Sequence, residues 1–132
     1  EIKNTINAAR SLCSGKLIVI FEPHRYSRII DLYDDFINSF DKTDFLFVTN
    51  IYAAGEKYIE GVSKEIIIQS IKDTGHKNVS FFENEDCMEK ELIQIAHKND
   101  FIMFLGAGAI SKKARALEKN MLQLLLKNNF HK

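Results

Sequence analysis

Four short apolar runs punctuate the chain, at residues 17–21 (LIVIF), 45–49 (FLFVT), 79–82 (VSFF) and 101–105 (FIMFL), and the stretches between them carry apolar residues at helical spacing. No other feature constrains the fold so tightly. A run such as 17–21, apolar without alternation, reads as a strand buried on both faces, as in a parallel sheet. Parallel neighbours need a crossover connection, and a helix usually supplies it. Helical spacing is carried by Ile2, Ile6, Ala9, Leu12 and Cys13 before the first run and by Ile29, Tyr33, Phe36, Ile37 and Phe40 after it. A helix with Ile66, Ile67 and Ile71 has Ser63 placed as its N-cap and Gly75 as its C′ residue. Asp86 opens a weaker helix through Met88, Leu92 and Ile95, and Ile110, Ala114, Leu117, Met121, Leu124 and Leu125 mark a long last one. The alternation predicts an α/β fold in three layers, a mainly parallel twisted sheet with helices on both faces.

With 132 residues, 45% hydrophobic and 27% charged, the chain has material for one core, so 1–132 is expected to be a single domain. Eighteen basic and eighteen acidic side chains cancel. No global field is left to hold nucleic acid or an anionic membrane, and any anion site must be local. No apolar stretch approaches the roughly 20 residues of a membrane span, and no basic-then-apolar leader opens the chain. Cys13 and Cys87, each on a predicted helix, lack the spacing of a metal or redox motif and read as reduced thiols of a cytoplasmic protein. Helical spacing is already under way at Glu1 with no capping residue before it, which suggests a piece cut from a longer polypeptide just after a hinge.

Residues 22–29 (EPHRYSRI) place His24, Arg25 and Arg28 where a strand ends and a helix begins. Arg25 and Arg28, three apart, are expected on one face of the first helical turn. Cations at that end of a helix oppose the macrodipole by roughly 0.3–1 kcal/mol each. A bound carboxylate or phosphate would offset this, and in open α/β sheets ligands sit outside the carboxyl ends of the strands, where this segment falls. The alternative is ordinary solvated pairing of the arginines with Asp31, Asp34 and Asp35, worth a few tenths of a kcal/mol.

Two connections depart from the pattern. Residues 50–62 (NIYAAGEKYIEGV) are long for a link in a compact α/β domain, where two to six residues are usual, and long loops are often functional. The alternative is an edge hairpin or short extra strand at 57–59. Gly106, Ala107 and Gly108 follow the fourth run directly, and glycines there let backbone N–H groups approach a ligand. On sequence grounds alone a tight βα turn with no ligand explains them better, because Ser111 stands where a dinucleotide fingerprint needs its third glycine. The chain contains no GxxxxGK[ST] phosphate loop, no nucleophile elbow and no metal-spaced His/Cys cluster; His24, His76, His97 and His131 are scattered. No catalytic or metal-binding set is complete within it, and much of an active site would lie elsewhere.

Taken together, EPHRYSR at 22–28, LYDDF at 32–36, NIYAAGE at 50–56, GHKNV at 75–79 and GAGAI at 106–110 resemble the C-terminal domain of the Mur ligases, in the right order and over essentially the whole chain. The HRYSR block and the opening EIKNTINAAR resemble the branch that joins L-alanine to UDP-N-acetylmuramate in peptidoglycan synthesis. The resemblance implies a Rossmann-like domain that closes over an active site shared with an N-terminal UDP-sugar domain and a central ATP domain. It further implies an ATP- and Mg²⁺-dependent ligase that phosphorylates the muramoyl carboxylate before the amine of L-alanine attacks the acyl phosphate, with both cofactors bound mainly outside this chain. His24, Arg25 and Arg28 map onto substrate-facing positions, and guanidinium groups suit the task because they grip carboxylate oxygens bidentately. Tyr52, Ala53, Gly55 and Glu56 map onto a block near the interdomain cleft, as do Gly106 and Gly108. Three residues depart from the pattern. Glu22 replaces a usual glutamine and adds negative charge near the arginines, Asn50 replaces a common aspartate, and Ala109 replaces a polar residue and so offers no side-chain cap. The competing class is a noncatalytic α/β module that binds an anionic metabolite or a protein.

Overall fold

The first apolar run forms β1 (Leu17–Phe21), and all five of its residues are buried. The structure, a computed structural model, describes residues 1–106, 110 and 112–117. Helix α1 (Ile2–Leu12) precedes β1, and α2 (Tyr26–Asp31) and α3 (Tyr33–Ile37) follow it. Strand β2 (Phe45–Val48), α4 (Lys64–Asp73), β3 (Val79–Ser80), a 3₁₀ turn (Glu85–Cys87), α5 (Met88–Ile95) and β4 (Phe101–Leu105) complete the named elements. The strands pair in the order β3-β2-β1-β4, all parallel.

Because successive side chains of a strand point to opposite faces, β1 divides the core in two. Leu17, Val19 and Phe21 face Ile6 and Ala9 of α1, Ile29 of α2, Phe36 of α3 and Ile67, Ile68 and Ile71 of α4. Ile18 and Ile20 face Phe47, Phe82, Met88 and Leu92 on the other side, with Ile110 and Leu117. The three layers follow from that alternation. Ser63 caps α4 by accepting the Ile66 N–H at 3.2 Å, and Gly75, at φ +107°, donates its N–H to the Lys72 carbonyl as a C′ residue does.

Several expectations are corrected. The helix after β1 breaks at Leu32 (φ −113°, ψ 19°) into α2 and α3; the apolar spacing from Ile29 to Phe36 runs straight across the break, so periodicity does not reveal it. Strand β3 is only two residues long: Phe81 turns outward, 44% exposed, while Phe82 is 1% exposed in the core. Asn84, not Asp86, opens the next helical segment, its side chain accepting the Asp86 N–H at 2.9 Å. Cys13 is the C-cap of α1, buried and free, and Cys87 ends the 3₁₀ turn, exposed and free. No strand forms at 57–59. Strand β4 lies at the edge of the described sheet and is half-exposed. Gly108, Ala109, Met121, Leu124 and Leu125 lie outside the described residues.

The amino-terminal rim of the sheet is fastened by two aspartates. Asp44 accepts the Leu17 N–H and the Arg10 guanidinium, each at 2.7 Å. Burial would raise its pKa, but those donors outweigh it and hold the carboxyl below the usual range. Asp100 accepts the N–H groups of Lys16 at 2.7 Å and His97 at 2.8 Å. Between them Gly15 crosses the backbone of Asn99 so closely that an added Cβ would stand 2.6 Å from the Asn99 carbonyl oxygen. Gly15→Ala is therefore expected to destabilise the domain by about 1–3 kcal/mol through overpacking, read as a lower urea midpoint at an unchanged m-value. An unchanged midpoint would contradict the close approach.

Candidate functional site

The chain runs from β1 outward to β2 and β3 on one side and returns to place β4 on the other, so the topological switch point lies between β1 and β4. Ligands of such sheets bind outside the carboxyl ends of the strands at that point. A cleft of about 550 Å³ opens there. Phe21 and Glu22 at the end of β1, Leu105 and Gly106 at the end of β4, and Glu1, Ile2 and Thr5 at the start of α1 line it. His24, Arg28, Leu32, Asp35 and Ser39 line it as well.

Arg25 and Arg28 bracket the first turn of α2 without sharing a helical face, because Arg25 is not in helical conformation. Arg28 is the third residue of α2 and lines the cleft. Arg25 is the N-cap, at φ 62° and ψ 128°, a conformation that costs a non-glycine residue of order 1–3 kcal/mol. The cause is the neighbouring loop: the chain pairs in parallel with Tyr52 through His24 and must start a helix one residue later. The Tyr52 N–H donates to the Pro23 carbonyl and the Arg25 N–H to the Tyr52 carbonyl, each at 2.9 Å. Among the described residues no carboxylate lies within 4 Å of either guanidinium, so pairing with Asp31, Asp34 and Asp35 does not account for the arginines.

Residues 50–62 clamp this segment. The His24 ring stacks on Tyr52 at 5.4 Å between centroids, and Tyr26 meets Tyr58 edge-on at 5.7 Å. Ala54 (φ 53°) and Gly55 (φ 86°) turn the loop back, closed by the Glu56 N–H donating to the Ala53 carbonyl at 3.1 Å; positive φ at both central residues is what a type I′ turn requires. That turn delivers the Glu56 carboxylate to the start of α2. There Oε1 accepts the Ser27 N–H at 3.1 Å and Oε2 the Ser27 hydroxyl at 2.5 Å. Those bonds, with the nearby Arg25 charge, hold the Glu56 carboxyl below its ordinary range. Tyr52, Ala53, Gly55 and Glu56 thus support the wall of the cleft without lining it.

Glu22 is 7% exposed and lies against Gly106. A Cβ on Gly106 would stand 2.7 Å from the Glu22 Cβ and 2.8 Å from Ile110 Cγ2, so only glycine fits the crossing. Asn50 sits away from the cleft, its N–H donating to Glu85 at 3.0 Å and its Oδ1 accepting Lys64 at 2.8 Å. Asp35 and Ser39 were not anticipated in the cleft wall. The signal is in the sequence: residues 28, 32, 35 and 39 recur at helical spacing beside the apolar face. Among the described residues no three His, Cys, Asp or Glu gather into a set that could hold a metal, and no helix is long and apolar enough to cross a membrane.

Residues 1–108 match the family model described as "Mur ligase, glutamate ligase domain". The UDP-N-acetylmuramate–L-alanine ligase of Agrobacterium fabrum is 40% identical over 121 residues, which cover 92% of this chain and 26% of that protein. The enzyme of the same name from Rhizobium meliloti is 37% identical over 124 residues, covering 94% of this chain and 26% of the relative. The crystal structure of UDP-N-acetylmuramate-alanine ligase from Thermotoga maritima superposes with a TM-score of 0.68 at 26% identity, over 92% of this chain and 24% of that one. The chain spans about a quarter of the length of these relatives.

Proposed function

This chain belongs to the Mur ligase family, matching its C-terminal domain, and from that premise we propose that it forms, over residues 1–132, the third domain of a cytoplasmic ligase joining L-alanine to UDP-N-acetylmuramate in peptidoglycan synthesis. ATP would convert the muramoyl carboxylate to an acyl phosphate with Mg²⁺, both held mainly by the N-terminal and central domains; this chain contains no GxxxxGK[ST] loop. The observation that carries the reading is the cleft at the β1–β4 switch point, into which Arg28 and His24 are set. A guanidinium at that position can take both oxygens of a carboxylate and stabilise negative charge that develops as an amine attacks an acyl phosphate. Arg25, exposed at the N-cap of α2, is assigned to the outer margin of the same anion site.

Purified whole protein containing this chain is expected to release phosphate from ATP only when UDP-N-acetylmuramate and L-alanine are both supplied, while the isolated chain releases none. Phosphate release indifferent to either substrate would rule the assignment out and favour a noncatalytic anion- or protein-binding module.

A further inference from the structure

Helix α2 begins without a local cap. Its N-cap residue, Arg25, makes no side-chain hydrogen bond to the helix, and the first-turn residues include no acid. The missing acceptor comes from Glu56, 29 residues beyond Ser27, whose two carboxylate oxygens take the Ser27 N–H and hydroxyl. One residue further along the same turn is Arg28, in the wall of the cleft. We propose that Glu56 is a positioning residue for the ligase reaction: by gripping Ser27 it fixes the first turn of α2 and so aims Arg28 at the anionic group of the substrate. The proposal rests on the reading of the cleft as a carboxylate site. It assigns Glu56 no contact with substrate.

Two observations support it. Arg25 is held at a positive φ that the chain does not adopt unaided, so the turn depends on outside restraint. The other backbone restraints, from Tyr52 to Pro23 and Arg25, act before the helix begins, and Tyr58 adds an edge-on ring contact to Tyr26 rather than a hydrogen bond. Only Glu56, among the described loop residues, bonds to a residue within α2.

The test is a double-mutant cycle in the whole ligase. Glu56→Ala is expected to raise the KM for L-alanine or lower kcat by about 10- to 100-fold, the scale of a small misplacement of a reacting or binding group, with the melting temperature little changed. Glu56→Gln, which keeps an acceptor oxygen, should lose less. Combined with Arg28→Ala, the Glu56→Ala change should cost nothing further, since the group it aims is gone. Wild-type kinetics for Glu56→Ala, or losses that multiply in the double variant while Arg28→Ala alone is impaired, overturns the proposal and leaves the cleft assignment standing. Wild-type kinetics for Arg28→Ala removes the cleft assignment and the proposal together. If Glu56→Ala does not fold, Glu56→Gln and Ser27→Ala decide: the same kinetic pattern supports the proposal, and wild-type behaviour in both overturns it.

Discussion

Arg28→Ala in the proposed ligase is expected to lower kcat/KM by about 10²–10³, the usual cost of removing one donor aimed at developing negative charge. The magnitude follows from placement. Arg28 lines a cleft of about 550 Å³ between the ends of β1 and β4, and no described carboxylate within 4 Å competes for it. Arg28→Lys keeps the charge but loses the planar fork, so it should recover only part of the loss. Arg25→Ala gives the contrast. Both arginines are exposed, but Arg25 lies beside Glu56 and does not line the cleft, and a loss below about fivefold is expected, the scale of an exposed ion pair. Steady-state kinetics with L-alanine varied separates the two, and unchanged kcat/KM for Arg28→Ala refutes the site.

The second large effect is structural. Phe82 is 1% exposed and its ring stacks on Phe47 with centroids 4.4 Å apart, in the cluster that joins β1 and β2 to α5. Phe82→Ala removes a buried ring from that cluster and should cost about 3–5 kcal/mol. Against a total stability of roughly 5–15 kcal/mol for a domain, that is enough to populate the unfolded state under mild denaturant. The adjacent residue is the control. Phe81 is 44% exposed, with the Lys64 ammonium 4.8 Å from its ring, and Phe81→Ala should cost no more than about 1 kcal/mol. Urea unfolding of both variants checks the pair; equal losses would mean the two rings are misassigned to core and surface.

What the sequence reveals and what it hides divide along physical lines. The run LIVIF announces β1 because five buried residues in a row have no other economical use, and Ser63 and Gly75 mark the ends of α4 because their chemistry acts within three residues. The cleft is half legible: strand-end logic and the charge at 22–28 point to the right rim of the sheet. Arg25's conformation is not legible, because it is imposed by Tyr52 from another loop, and the break at Leu32 leaves the apolar spacing untouched. The rim aspartates did leave a trace, since Asp44 and Asp100 stand immediately before the second and fourth apolar runs. Gly15 left none, because its constraint is a neighbour, the Asn99 backbone, brought in by the fold.

The bond from Ser27 to Glu56 spans 29 residues of chain, so the first turn of α2 has its acceptor only when the returning loop is in place. The Tyr52 groups that hold Pro23 and Arg25 belong to the same loop, and ordering it carries the entropic cost of loop closure. Transplanting EPHRYSR into another scaffold would accordingly move the letters without the shape, unless the donor strand and its returning loop travelled with them.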